Sequence, residues 1–126
     1  MVDLKKHVEY WVRGAESDFE TAELLISGRK YLEGLFFCHL TIEKISKALV
    51  VKNTGQLAPK SHNLSYLSDL ASVKLTAEQV SFMAVLMKYQ LEGRYPEYYP
   101  KSPSIETVND YFQKTKTLLE CLRLML

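Results

Sequence analysis

The segment from Tyr31 to Val51, YLEGLFFCHLTIEKISKALVV, constrains the fold more than any other part of the sequence. Viewed as a helix it has one tight apolar stripe, and further apolar side chains lie on its other sides. A helix that is apolar nearly all round has to be covered by neighbours, so we expect it at the centre of a helical bundle. The stripe comprises Leu35, Cys38, Ile42, Ile45 and Leu49, and the other apolar positions include Phe37, Leu40, Ala48 and Val51.

Two long helices are predicted at the start of the chain, and both have local boundary signals. The first is capped by Asp3 and ends near Gly28, and the second runs from about Tyr31 to Asn53 and ends before Gly55. Pro59 keeps the following loop out of a helix. The apolar face of the first helix comprises Leu4, Val8, Trp11, Ala15, Phe19, Ala22 and Leu25.

Three more helices are predicted in the second half of the chain. A short one fits NLSYLSDLAS, and a longer one begins at the capping box TAEQ, Thr76 to Gln79, and ends at Gly93. The last begins near Ser102 and Pro103. Their expected inward positions are Leu64, Leu67 and Leu70; Val80, Met83, Ala84 and Met87; and Ile105, Val108, Phe112, Leu118 or Leu119, Leu122 and Met125.

No stretch alternates apolar and polar residues for long enough to indicate a strand, and glycine and proline fall at the helix boundaries. The sequence therefore predicts an all-α fold, an up-and-down bundle of four long helices plus one short helix. We expect a single domain over residues 1–126, because the length suits one self-sufficient core.

The net charge of +1 and a pI near 7.7 exclude a global attraction to nucleic acid or anionic lipid, so phosphate recognition would need a local cluster. We expect no DNA binding. The start of the chain does not resemble a signal peptide, and no apolar run is long enough to span a membrane. A cytoplasmic location is expected, with Cys38 and Cys121 as reduced core residues.

A polar ladder crosses the predicted central helix, formed by His39, Glu43 and Lys47 at i, i+4 and i+8. Side chains four apart on a helix are in contact, and a carboxylate beside an imidazole would keep His39 at least partly protonated. A surface ion pair would explain the Glu-Lys spacing equally well. Because apolar positions adjoin the ladder on both sides, it could instead face a cleft or a subunit interface.

Two further segments could contribute polar groups to a site. In PKSHNL, Ser61 or Asn63 can cap the short helix, which would place His62 in its first turn or leave it closing the loop. In LEGRYPEYYP, Arg94 offers a planar charged fork suited to phosphate, and Tyr95 offers a stacking face. The alternative is a proline-stiffened connection whose tyrosines close the end of the bundle.

Other chemistries are not supported. His39, Glu43 and His62 do not form a known metal motif, and no metal or cofactor is expected. P-loop, dinucleotide-binding and G-x-S-x-G motifs are missing from the sequence. Cys38 lies on the apolar stripe and is therefore a poor candidate nucleophile.

With these residues in place, the chain resembles the HEPN family, small helical domains named for their occurrence in higher eukaryotes and prokaryotes and for proposed nucleotide binding. The resemblance extends nearly end to end. It includes the tryptophan-led first helix, the His-x-x-x-Glu-Lys-x-x-Lys pattern from His39, the PKSHNLSYL segment and the Arg-Tyr-Pro turn at Arg94.

The resemblance implies a symmetric homodimer, encoded in many prokaryotes beside a minimal nucleotidyltransferase as a toxin–antitoxin pair. Many such HEPN chains are metal-independent RNases with an Arg-x(4–6)-His motif. Here Arg94 is followed by Tyr98, Tyr99, Pro100 and Lys101 at the relevant spacings, and no histidine follows it. Arginine can stabilise a phosphorane-like transition state, but it does not supply the proton transfer that RNA cleavage needs.

Three hypotheses follow. The first is a dimeric binding module that uses a nucleotide or RNA phosphate as its ligand and acts with a minimal nucleotidyltransferase. The second is an RNase toxin that combines Arg94 with His39 or His62. The third is a structural interaction protein in which the ladder fixes the dimer register. The residues assigned to the binding module are His39, Glu43, Lys47, His62, Arg94 and Tyr95.

Overall fold

The computed structural model describes residues 3–126, in which all regular secondary structure is helical. The prediction of an all-α bundle is confirmed. The α-helices are α1 (Leu4–Ser27), α2 (Tyr31–Thr54), α3 (Leu64–Leu70), α4 (Ala77–Met87) and α5 (Ile105–Leu124), and a single turn of 3₁₀ helix covers Pro96–Tyr98.

Helices α1 and α2 form a long antiparallel hairpin, with a boundary at each position that the sequence indicates. Asp3 caps α1 by accepting a hydrogen bond from the backbone N–H of Lys6, and Gly28 follows its last residue. Gly34 permits close packing, because a Cβ there would lie 2.5 Å from Cγ1 of Ile26. The N–H of Gly55, in the left-handed conformation, caps the end of α2.

Helix α2 is the central element, as its sequence predicts. It contacts each of the other four α-helices, and its apolar stripe from Leu35 to Leu49 is completely buried. Apolar side chains of α1, α3, α4 and α5 complete one continuous core around it. Consequently any polar side chain in the middle of α2 has to be satisfied inside the bundle rather than by water.

The predicted end of α4 is wrong, and its predicted inner face is correct only for Met83 and, in part, Met87. The helix ends at Met87 rather than at Gly93, because the next N–H groups bond three residues back in a tight turn. This turn brings Tyr89 into the core. The buried positions of α4 are Phe82, Met83 and Leu86, whereas Val80 and Ala84 face solvent.

Two other boundaries differ from the prediction. Helix α5 begins at Ile105 behind a Ser104 cap, so Pro103 precedes the helix instead of occupying its first turn. Asn63 caps α3, which leaves His62 in the loop before the helix. The capping box of Thr76 and Gln79 at the start of α4 is confirmed. In the part of the chain that the structure describes, no helix is both long and apolar enough to cross a membrane.

Candidate functional site

The ladder of α2 is buried inside the chain. Glu43 accepts a hydrogen bond from the ammonium of Lys47, with 3.1 Å between Nζ and Oε2, and Nδ1 of His39 lies 3.9 Å from the other carboxylate oxygen. All three side chains are almost completely inaccessible to solvent. They therefore face neither an open cleft nor a free subunit surface, and they can affect a ligand only through the residues that cover them.

The loop before α3 covers the ladder and is fixed to it at two points. Nδ1–H of His62 donates to Oε1 of Glu43 over 2.8 Å. Nε2–H of His39 donates to the backbone carbonyl of His62 over 3.0 Å. His62 thus forms hydrogen bonds with two ladder residues, one through its ring and one through its backbone carbonyl. These two hydrogen bonds fix the position of the loop on α2.

His39 is a neutral side chain in this environment. Burial lowers its pKa, and this effect outweighs the opposing influence of the Glu43 carboxylate. The hydrogen bond to the carbonyl places the proton on Nε2, which leaves Nδ1 with a lone pair and no hydrogen-bond partner among the described residues. The prediction that Glu43 keeps His39 protonated is therefore wrong.

Trp11 of α1 covers the other end of the ladder. The ammonium of Lys47 lies 5.0 Å from the centroid of the Trp11 ring, within the range of a cation–π contact. The sequence placed Trp11 on the apolar face of its helix without assigning it this partner. Its position opposite Lys47 follows from the antiparallel packing of α1 on α2.

His62 connects the buried ladder to the surface. Its side chain is 45% exposed, and its outer nitrogen Nε2 lies 3.5 Å from Oε2 of Glu92. Because Glu43 holds the proton of Nδ1, the imidazole presents Nε2 outward in a fixed orientation. Sequence reasoning did not identify Glu92, although it lies in the same stretch as Arg94. Its pairing with His62 is a contact between distant segments.

Arg94 braces the loop that follows α4. Its Nη1 donates to the carbonyls of Lys88 and Gln90 over 3.2 Å each, and its Nη2 donates to the carbonyl of Tyr98. No hydrogen bond or ion pair among residues 3–126 joins Arg94 to the ladder or to His62. Arg94 retains its Nε–H and one Nη2–H for other partners, since guanidinium has five donors.

The loop that Arg94 braces displays two tyrosines. Tyr95 and Tyr98 are 70% and 66% exposed, and their ring centroids are 6.5 Å apart in an edge-to-face arrangement. Exposed aromatic rings next to a guanidinium could stack on a nucleobase. The structure thus brings together His39, Glu43, Lys47 and His62, whereas Arg94 and Tyr95 lie on the loop that reaches this group through Glu92.

Other reactive groups are not poised for chemistry. Burial raises the pKa of the Cys38 thiol to about 12, so it is not a thiolate at neutral pH. Within residues 3–126 no group of three or more His, Cys, Asp or Glu side chains is arranged to hold a metal ion.

Comparison with known families agrees with the all-helical fold. The family model described as the HEPN domain matches residues 8–125, which is nearly the whole chain. The chain therefore belongs to the HEPN family. A comparison with curated proteins gives no match.

Proposed function

We propose that this HEPN chain is a dimeric binding module for a nucleotide or RNA phosphate, and that a minimal nucleotidyltransferase partner supplies the chemistry in a toxin–antitoxin-like system. The contacts are assigned to His62, Arg94 and Tyr95. The observation that carries the proposal is the His62–Glu43 hydrogen bond, because it fixes an exposed imidazole nitrogen next to the loop of Arg94.

The ladder has a positioning role in this proposal. Lys47 holds the Glu43 carboxylate, and Glu43 together with His39 holds the loop of His62. Where Nε2 also carries a proton, His62 can donate it to a phosphate oxygen in place of its present neighbour Glu92. The two free donors of Arg94 can bind a second oxygen, since guanidinium and phosphate form strong charge-assisted hydrogen bonds.

Binding is tested by calorimetry with ATP and with a short single-stranded RNA. His62→Asn is the informative variant, because the asparagine amide replaces the Nδ1–H donor but not Nε2. We expect this change to weaken binding about tenfold, which corresponds to 1.4 kcal/mol. The matched control is His7→Asn on α1, which should leave the affinity unchanged. A wild-type protein that releases no heat with either ligand would refute the proposal.

Assembly needs separate measurements. Light scattering of the purified chain should give twice the mass of 14.5 kDa. A minimal nucleotidyltransferase encoded by a neighbouring gene should co-elute with it. A monomer at micromolar concentration would contradict the dimer, and separate elution would contradict the partner.

A second candidate function is RNA cleavage, and the same hydrogen bond favours it. A carboxylate that orients an imidazole is the arrangement of a general base. His62 would take the proton of a 2′-hydroxyl, whose oxygen would attack phosphorus, and Arg94 would stabilise the phosphorane charge. The P–O5′ bond would then break, and the 5′-oxygen would leave with a proton from the same imidazolium or from water. RNA incubated with the protein and EDTA should then give cyclic-phosphate ends, and His62→Asn should abolish them. Growth arrest relieved by Arg94→Ala but not by Arg123→Ala would support toxicity, and intact RNA would exclude this function.

A structural role for the ladder in dimer register is the third candidate. The ladder is covered by Trp11 and His62 of its own chain, so it could affect a partner subunit only indirectly. Glu43→Gln therefore should not change the dimer mass in light scattering. A loss of the dimer in a variant that remains folded would favour this role over the binding module.

A further inference from the structure

A second polar surface lies between the first half of α1 and the middle of α2. It is an open groove of about 550 Å³, which is within the size range of small-ligand pockets. Lys6, Tyr10 and Arg13 follow one another on one face of α1, at spacings of four and three residues. The residues that line the groove are Lys6, Glu9, Tyr10, Arg13, Gly14 and Lys44.

Gly14 allows the third cation to reach this groove. A Cβ at this position would lie 3.0 Å from Cδ of Lys44, so any larger residue would push the lysine aside. The ammonium of Lys44, a residue of α2, forms an ion pair of 2.7 Å with Asp18 of α1. This ion pair holds the lysine side chain against α1. The groove thus depends on the close packing of the hairpin and is not a chance cluster of flexible lysines.

The other two cations are not neutralised by the protein itself. Among residues 3–126, Lys6 and Arg13 take part in no ion pair. Glu9 is the single carboxylate in the lining. A concave surface with an excess of positive charge concentrates anions locally even when the net charge of the chain is only +1.

The remaining lining residue suits a phosphate that is attached to a sugar or base. Tyr10 is 65% exposed, and its ring packs edge-to-face on Trp11 with centroids 4.9 Å apart. This contact holds an aromatic face beside Arg13 and Lys6. By contrast, the larger groove between α4 and α5 is lined by one carboxylate and one ammonium, from Glu78 and Lys114, and carries no excess charge.

We infer that the groove of Lys6, Tyr10, Arg13 and Lys44 is a second binding site for the phosphate groups of a nucleotide or a single-stranded RNA. Arg13 offers a fork to the phosphate oxygens, Lys6 supplies further positive charge, Lys44 lines the floor of the groove while paired with Asp18, and Tyr10 stacks on the base. The site does not rest on His62 or Arg94, so it stands or falls independently of the function proposed above.

The test measures binding of the purified full chain to fluorescein-labelled octauridylate, to ATP and to adenosine in 50 mM salt. The groove variant is Lys6→Gln/Arg13→Gln, and the matched control is Lys116→Gln/Arg123→Gln, which removes the same charge from exposed positions of α5. Both are made in the His62→Asn background, so that binding at the site proposed above does not mask the groove. Thermal unfolding of both variants checks that they are folded. We expect the groove variant to weaken phosphate-ligand binding about tenfold or more and the control to change it less than about twofold.

The salt dependence separates the two sources of phosphate. If RNA is the ligand, loss of two phosphate contacts should lower the slope of log K against log salt by about 1.4. If the nucleotide is the ligand, ATP binding should show the loss and RNA binding should not. The inference is overturned if adenosine binds as tightly as ATP, if neither phosphate ligand binds, or if groove and control variants weaken binding equally. Loss of all binding in His62→Asn alone would likewise leave this groove without a ligand.

Discussion

Nδ1 of His62 lies 2.8 Å from Oε1 of Glu43, although the two residues are nineteen positions apart and on different elements. The same carboxylate accepts a hydrogen bond from Lys47 through its other oxygen. Glu43 is therefore the junction of the candidate site. It joins the central helix to the loop that presents an imidazole at the surface, and its removal should affect both stability and loop position.

Glu43→Gln should destabilise the protein by about 3 kcal/mol, because it leaves the buried ammonium of Lys47 without its counter-charge. Urea unfolding followed by circular dichroism measures this change. Glu120→Gln, at an exposed position of α5, is the matched control and should stay within about 0.5 kcal/mol of the wild type. Equal effects of the two variants would show that the ion pair in the core is unimportant for stability.

Stability should fall as the pH is lowered below about 6.5, the ordinary pKa of histidine. Burial lowers the pKa of His39 in the folded protein, so the unfolded chain binds the proton more readily. In the window between the two pKa values, the free energy of unfolding decreases with falling pH by up to about 1.4 kcal/mol per unit. Above this window the contribution of His39 is fully present.

The variant His39→Gln removes this titration and should flatten the pH dependence of the urea midpoint between pH 7 and pH 5, whatever its effect on stability at pH 7. Ser46→Ala, which removes a buried polar group of the same helix that does not titrate, is the matched control and should retain the wild-type slope. A slope that is the same with and without the imidazole of His39 would contradict the assignment of a buried neutral ring.

The two cysteines should react at very different rates. Cys38 is completely buried and its thiol has a pKa raised to about 12, whereas Cys121 is partly exposed. With a disulfide reagent at pH 8, one thiol of the native protein should react rapidly, and the second only on unfolding in urea. Cys121→Ser should remove the rapid phase. Rapid reaction of Cys38 in that variant would mean that the core around α2 opens readily.

Arg94→Ala should loosen the loop after α4, because three backbone carbonyls lose their donor. We expect chymotrypsin to cut after Tyr98 several times faster than in the wild type, with little change in the midpoint of global unfolding. Arg94→Lys should show an intermediate rate, since an ammonium lacks the planar fork. Unchanged cleavage would indicate that the guanidinium does not hold the loop in solution.

The sequence predicted the features that depend on local interactions. Hydrogen bonds between residues a few positions apart set the bounds of α1 and α2, the Asp3 cap and the capping box of Thr76. The ladder on α2 follows from helical spacing alone. The end of α4 was mistaken because Gly93, the residue expected to stop the helix, lies in the loop after a tight turn that buries Tyr89.

The sequence by itself thus determined that the chain is an all-α HEPN domain with an apolar central helix that carries His39, Glu43 and Lys47. Only the tertiary structure decided that this ladder is buried, that His62 closes over it, that Trp11 covers Lys47, and that Glu92 rather than Arg94 meets His62. The physical reason is the range of the interactions. Caps and i, i+4 contacts are set by neighbours along the chain, whereas burial and pairing between segments are set by how the helices pack.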